Sequence, residues 1–147
     1  MLRIHRMAHW LAKRGVPWLP RLLYLLNRVV FAVVLPPGVE VGRNVLFGYS
    51  GLGTVVHARC RIGDGASIGA KVTLGGRSGH YEVPRIAEGA LIGTGACILG
   101  PVTIGRFARV GANAVVLIDV PDHATAIGVP ARIVTAADAP AAELEVG

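Results

Sequence analysis

Aromatic side chains are scarce: two Trp, three Tyr and three Phe make up 5% of the 147 residues. A core of packed rings is therefore excluded, and small or β-branched side chains must fill the interior. Charge is also thin, at 16% against a usual share near ~25%. With 52% hydrophobic residues, the chain is not one that stays disordered for lack of burial. Acidic residues are missing altogether from positions 1–35, where Arg3, Arg6, Lys13, Arg14, Arg21 and Arg28 stand unopposed. The two cysteines, Cys60 and Cys97, form no spaced metal or redox motif, so nothing demands an oxidising compartment. Long apolar runs are lacking too. The longest clean stretch, Val29 to Leu35, is seven residues, where a membrane span needs ~20. No small-residue cleavage site precedes Pro36-Pro37, so a signal peptide is not expected.

The middle, 36–135, is only mildly positive, with nine basic and six acidic residues, and such a spread-out excess is not a nucleic-acid stripe. One domain is the expectation from length. Ile4, Met7, Ala8 and Leu11 form the i, i+3, i+4, i+7 stripe of an amphipathic helix over 2–12. Gly15-Val16-Pro17 breaks it, and Pro20 suits the first turn of a second helix through about Val33. This pair packs on its own domain or on a neighbouring subunit, or lies on anionic lipid as a peripheral contact. A transmembrane anchor is the weakest of these readings. His5 and His9, beside basic residues, read as surface positions.

Glycine is abundant, at 20 residues. From residue 39 onward one apolar position recurs every six residues: Val41, Phe47, Val56, Ile62, Ile68, Leu74, Ile86, Ile92, Ile98, Ile104, Val110 and Val116, with one nine-residue and one twelve-residue gap. Two places before it stands a second, mostly smaller residue, including Val39, Cys60, Ala66, Ala90, Ala96 and Ala114. One place after it comes Gly at 42, 48, 63, 69, 75, 93, 105 and 111, read as the residue that takes the bend. An α-helix cannot hold a six-residue phase over twelve cycles. Three hexads make one triangular coil of a parallel β-helix, so the fold class is an all-β solenoid preceded by a helical segment. The divisions are 1–35 helical, 36–135 β-helix, and 136–147 an Ala/acid-rich tail read as disordered. Cys60 falls in the inward small slot and reads as structural, while Cys97 faces outward. About four coils leave flat strand faces and an open end, which oligomerisation would bury.

Departures from a solenoid repeat are candidate sites. The first is Gly48-Tyr49-Ser50-Gly51-Leu52-Gly53, which adds three residues; the second is His57, standing where the corner Gly normally is. The third is the loop Gly76-Arg77-Ser78-Gly79-His80-Tyr81-Glu82-Val83, which replaces one hexad. Histidine suits removal of a hydroxyl proton near neutral pH, so His57 and His80 are the catalytic candidates. Each is also readable as an exposed corner or loop residue. Arg77 suits a ligand carboxylate or phosphate, or simply solvates the loop. His123 reads as structural. Three scattered histidines at no ligand-like spacing give no metal site.

Several stretches resemble hexapeptide-repeat acyltransferases of the serine acetyltransferase group: Met7-Ala8-His9-Trp10-Leu11, Val72-Thr73-Leu74-Gly75-Gly76, Ile92-Gly93-Thr94-Gly95-Ala96, Ile98-Leu99-Gly100 and Gly128-Val129-Pro130-Ala131-Arg132-Ile133. The resemblance implies a left-handed β-helix, commonly a homotrimer in the cytoplasm, with acetyl-CoA in a groove between subunits. By position it assigns Gly75, Gly76, Ala96 and Ala112 to the CoA arm, and Pro130 and Arg132 to its nucleotide end. Where serine enzymes carry Asp-Ile-His-Pro, this chain has Val34-Leu35-Pro36-Pro37. Where they carry Asp-His-Ala-Thr-Gly it has Tyr49-Ser50-Gly51-Leu52-Gly53, and their Arg-His-Pro reads Glu82-Val83-Pro84. The chain is similar to shorter members associated with bacterial surface polysaccharides, in which Val-Val/Ile-His, here Val55-Val56-His57, follows a glycine stretch. The resemblance thus implies an acetyl-CoA-dependent O-acetyltransferase acting on a sugar or L-serine hydroxyl. His57 would be the base, with Tyr49, Ser50, Arg77 and His80 bordering the acceptor. A non-catalytic scaffold or membrane-associated pathway partner is the alternative.

Overall fold

The computed structural model describes residues 1–134. The tail expected over 136–147 lies outside the described residues, as does the last residue of the expected β-helix. Two helices come first, α1 (Leu2–Lys13) and α2 (Leu19–Phe31). Four coils of short strands follow: β1 (Glu40–Val41), β2 (Leu46–Phe47) and β3 (Val55–Val56), then β4 (Arg61–Ile62), β5 (Ser67–Ile68) and β6 (Thr73–Gly75). The third coil holds β7 (Arg85–Ile86), β8 (Leu91–Ile92) and β9 (Cys97–Leu99), and the fourth holds β10 (Thr103–Ile104), β11 (Arg109–Val110) and β12 (Val115–Val116). β13 (Thr125–Ile127) adds one more parallel rung, and β14 (Arg132–Val134) returns antiparallel against it.

The strands stack into three faces. Face one is β1-β4-β7-β10, face two runs from β2 through β5, β8 and β11 to β13 and β14, and face three is β3-β6-β9-β12. Register is in phase everywhere: Val56 lies against Leu74, Leu74 against Ile98 and Ile98 against Val116. The six-residue period thus becomes three interior columns of branched side chains, joined by the smaller Ala66, Ala90, Ala96 and Ala114. Each fully buried Ile or Leu contributes about 1.5–3 kcal/mol of transfer free energy. Val41 and Phe47, in the first coil, are only partly buried, and Met1, Leu2 and Phe31 of the helical pair pack there, closing the open end of the core.

The repeating glycine does a different job from the one expected. Gly93 does not need a positive φ. A Cβ built on it would instead lie 2.6 Å from the Ala112 nitrogen of the next coil. It is close approach between coils that selects Gly, while the left-handed residue comes two places later, as at Gly95 or Asn113.

The helical pair also departs from expectation. α2 stops at Phe31 because Ala32 turns left-handed (φ 50°), and Val33 goes into the core. His5 and His9 are not surface residues. His5 is 2% exposed with Nε2 3.2 Å from the Val39 carbonyl, and the half-buried His9 has Nδ1 2.7 Å from the Pro37 carbonyl. Together with Arg6, which donates to the Gly42 carbonyl at 3.0 Å, they fasten α1 to the first turn of the solenoid.

Candidate active site

Three corners join the faces, and they decide which candidate residues can meet. The corner from face three to face one carries His57 in the first coil and the loop 76–84 in the second. Val55 and Val56 pair with Thr73 and Leu74, so the turn at His57 lies directly beside Gly75 and Gly76. The His57 N–H donates to the Leu74 carbonyl at 2.8 Å. A Cβ at Gly76 would lie 3.9 Å from the His57 ring, ordinary contact distance, so the two positions adjoin. His57 is half-buried, and Gly76, Arg77 and His80 are exposed. Sequence reasoning that joined His57 to the glycine loop therefore finds them on one corner, a single coil apart.

The loop is held rather than loose. Arg59 stacks its guanidinium 3.9 Å from the centre of the Tyr81 ring and donates to the Tyr81 carbonyl at 2.6 Å. Val83 and Pro84 are buried, Glu82 pairs with Arg85 at 3.2 Å, and the His80 N–H donates to the Arg77 carbonyl at 3.1 Å. Arg77 lays its stem over Gly100, where an added Cβ would come within 3.0 Å of the Arg77 Cβ. Arg59 escaped the sequence reading. Its only signal was its place two residues after His57, outside the repeat.

Arg59 also bears on the chemistry of His57. Its backbone N–H donates to His57 Nδ1 at 3.3 Å. The neutral ring held this way carries its proton on Nε2. No carboxylate is hydrogen-bonded to His57 among the described residues, so the orientation rests on that one long contact.

Tyr49 and Ser50 lie on a different corner, between faces two and three. Both are left-handed, with φ of 49° and 57°, and Tyr49 is 85% exposed. Two such non-glycine residues in succession are strained, a feature that clusters at functional sites. Ala112 and Pro130 are exposed on the same corner higher up, with Arg132 exposed just beyond. Ala96 needs correction: it is fully buried. Its N–H donates to the Gly93 carbonyl and its carbonyl accepts from Thr73, which leaves it nothing to offer a ligand. The cause is the period itself, since Ala96 holds the small inward slot. The candidate residues thus flank face three on both sides, and one chain does not gather them. A cleft between α1 and face one, lined by His5, Arg6, His9, Lys13, Arg61 and Asp64, contains none of them.

Face three itself is uncharged, presenting Val55, Thr73, Cys97 and Val115, whereas face one presents Glu40, Arg61 and Arg85. Residues 84–117, which hold two strands of each face and so the third and fourth coils, match the bacterial transferase hexapeptide family (six repeats). Over those residues the repeat is similar to that of the hexapeptide transferases. Over 135 residues, 90% of its length, the chain is 43% identical to serine acetyltransferase of Escherichia coli (strain K12), covering 49% of that protein. The soybean serine acetyltransferase complexed with serine superimposes with a TM-score of 0.86 at 44% identity, over 90% of this chain and 55% of that one. Serine acetyltransferase from Brucella abortus strain S19 in complex with coenzyme A gives 0.87 at 36% identity, over 90% and 54%. Serine acetyltransferases are homologues of this hexapeptide-repeat chain, which spans about half the length of those it matches.

Proposed function

We propose that this protein is an acetyl-CoA-dependent O-acetyltransferase that assembles its site across an interface between copies, as a trimer would. The observation that carries the proposal is the corner where His57 lies beside Gly75 and Gly76, under the loop bearing Arg77 and His80. Homologues of known structure with serine or coenzyme A bound support the reaction class. The uncharged face three, flanked by both candidate corners, supports the interface: a neighbouring copy can bring its Tyr49, Ser50 and Ala112 to this copy's His57.

In this reading the acceptor hydroxyl oxygen attacks the thioester carbonyl and its proton passes to His57. The carbon–sulfur bond then breaks, and the departing thiolate takes the proton back. Backbone N–H groups near Gly75 and Gly76 face the developing oxyanion. Uptake of a proton at Nδ1 displaces the Arg59 N–H, an exchange costing about 1 kcal/mol. The small exposed Ala112 leaves room for the pantetheine arm, and Arg132 offers a charge to the nucleotide phosphates. Arg77 and His80 border the acceptor. A sugar hydroxyl is favoured over L-serine, because Glu82-Val83-Pro84 stands where the serine enzymes carry their Arg-His-Pro. Such an enzyme would work in the cytoplasm, in the short polysaccharide-associated branch of the group.

The test is release of free CoA thiol from acetyl-CoA, with L-serine and a panel of sugars offered separately. His57→Ala should lower turnover ~10²–10⁴-fold with an unchanged melting temperature. Wild-type turnover in that variant removes His57 from the mechanism. Silence with every acceptor and no CoA binding turns the reading to a non-catalytic solenoid.

A further inference from the structure

The helical pair is built inside out. α2 turns Pro20 and Asn27 toward the rest of the protein, and Asn27 Nδ2 donates to the Met1 carbonyl at 3.3 Å. One set of its large apolar side chains faces away from it, while Leu19, Leu23 and Phe31 are half-buried. Trp18, at the N-cap, and Leu22, Leu25, Leu26, Val29 and Val30 are each 46–80% exposed. They stand at i, i+4, i+7, i+8, i+11 and i+12, so they form one unbroken stripe rather than scattered surface residues. Arg21 and Arg28, seven residues apart, run along one edge of it, and both are exposed. At the end of α1, Arg14 lies 3.8 Å over the half-exposed Trp10 ring, with Lys13 beside it. No carboxylate occurs in the chain before Glu40, and that one is paired with Arg61 at 3.1 Å.

We propose that α2 lies flat in the interface of an anionic phospholipid bilayer, with its apolar stripe at the acyl boundary and Arg21 and Arg28 at the phosphates. The helix has 13 residues and is about 20 Å long, so it suits lying in the plane. No helix among the described residues is long and apolar enough to cross a membrane. Charge decides between lipid and a second copy. Two α2 stripes packed on each other bring arginines to a seam where residues 1–39 supply no carboxylate. Lipid phosphates supply the counter-charge that this segment lacks. The inference does not depend on the transfer reaction.

The experiment is co-sedimentation of the full chain with vesicles of phosphatidylcholine alone and of phosphatidylcholine mixed with phosphatidylglycerol. Binding is expected to the mixed vesicles, weakening as salt rises. The double variant Arg21→Gln/Arg28→Gln should lower partition roughly 30-fold, since each base near an anionic surface is worth about one factor of five. Leu25→Asp/Val29→Asp should abolish binding while the circular dichroism and thermal melt stay those of the parent. Failure to bind mixed vesicles, or equal binding to neutral ones, overturns the proposal. So does an oligomer that Leu25→Asp/Val29→Asp breaks apart in the absence of lipid, which assigns the stripe to a second copy.

Discussion

The solenoid and the helical pair solve the burial problem in opposite senses. In the solenoid every hexad sends branched and small side chains inward, and Ile68, Leu74, Ile98 and Ile104 reach zero exposure. Backbone groups there pair coil to coil. In the helical pair the polar residues His5 and Asn27 are buried, each with one side-chain atom lacking a partner, while Leu22, Leu25, Leu26, Val29 and Val30 of α2 face out. A buried polar atom without a partner costs about 1–3 kcal/mol. The solenoid is thus complete in itself along its columns. The helical pair is arranged for something beyond this chain's own core.

That contrast can be broken most sharply inside a column. Ile98→Ala removes a fully buried side chain between Leu74 and Val116 and should destabilise by about 2–5 kcal/mol, read from the urea midpoint. A change under ~1 kcal/mol would mean the coils collapse onto cavities far more readily than a close-packed solenoid should. The thiols give the next largest effect. Burial pushes Cys60 up to about 11, whereas Cys97 lies half-buried on face three. With Ellman's reagent at pH 8, Cys60 should react only after unfolding, while Cys97 should react in native protein only where face three is not covered by a neighbouring copy. Two fast thiols would show that the interior opens.

The helical pair answers to pH instead. Burial holds His5 below its ordinary value, against the pull of the Val39 carbonyl, with His9 and Arg6 adding repulsion. The ring is therefore neutral when docked. As pH falls below about 6.5 the unfolded chain takes up a proton that the folded chain refuses, so stability declines toward acid. The protection of α1 amides, corrected for the intrinsic pH dependence of exchange, should fall between pH 7.5 and 5.5, and His5→Gln should flatten that dependence. Equal protection at both values would mean His5 does not govern the docking of α1. The smallest effect belongs to Arg59. Arg59→Gln loses a cation–π contact worth about 0.5–1 kcal/mol and frees the Tyr81 end of the loop. A several-fold rise in acceptor KM with little change in kcat is expected. A collapse of kcat alone would instead place Arg59 in the chemistry of His57.

The solenoid was legible because its signal is one-dimensional. Val56, Leu74, Ile98 and Val116 keep phase in the sequence, and phase is all that stacking requires. The same regularity exposed His57 and the 76–83 loop as departures. It also contained the information that Ala96 points inward, which the family likeness obscured. The role of Arg59 was not legible, since a side chain that bridges two coils leaves no periodic mark. His5 and His9 were misread because polarity and neighbouring charge suggested water. Yet they share one helix face with the docking side of α1, and the carbonyls of Pro37 and Val39 receive them.

What this sequence determined by itself is the parallel β-helix, its four coils and the inward residue at each step, because a six-residue period admits one backbone path. Tertiary structure alone decided which candidates meet. His57 joins Gly76 and the loop because they share a corner, and Tyr49 parts from them because face three lies between. It also decided which way the helices turn, since a stripe read from sequence names a face without saying whether protein or something else will cover it.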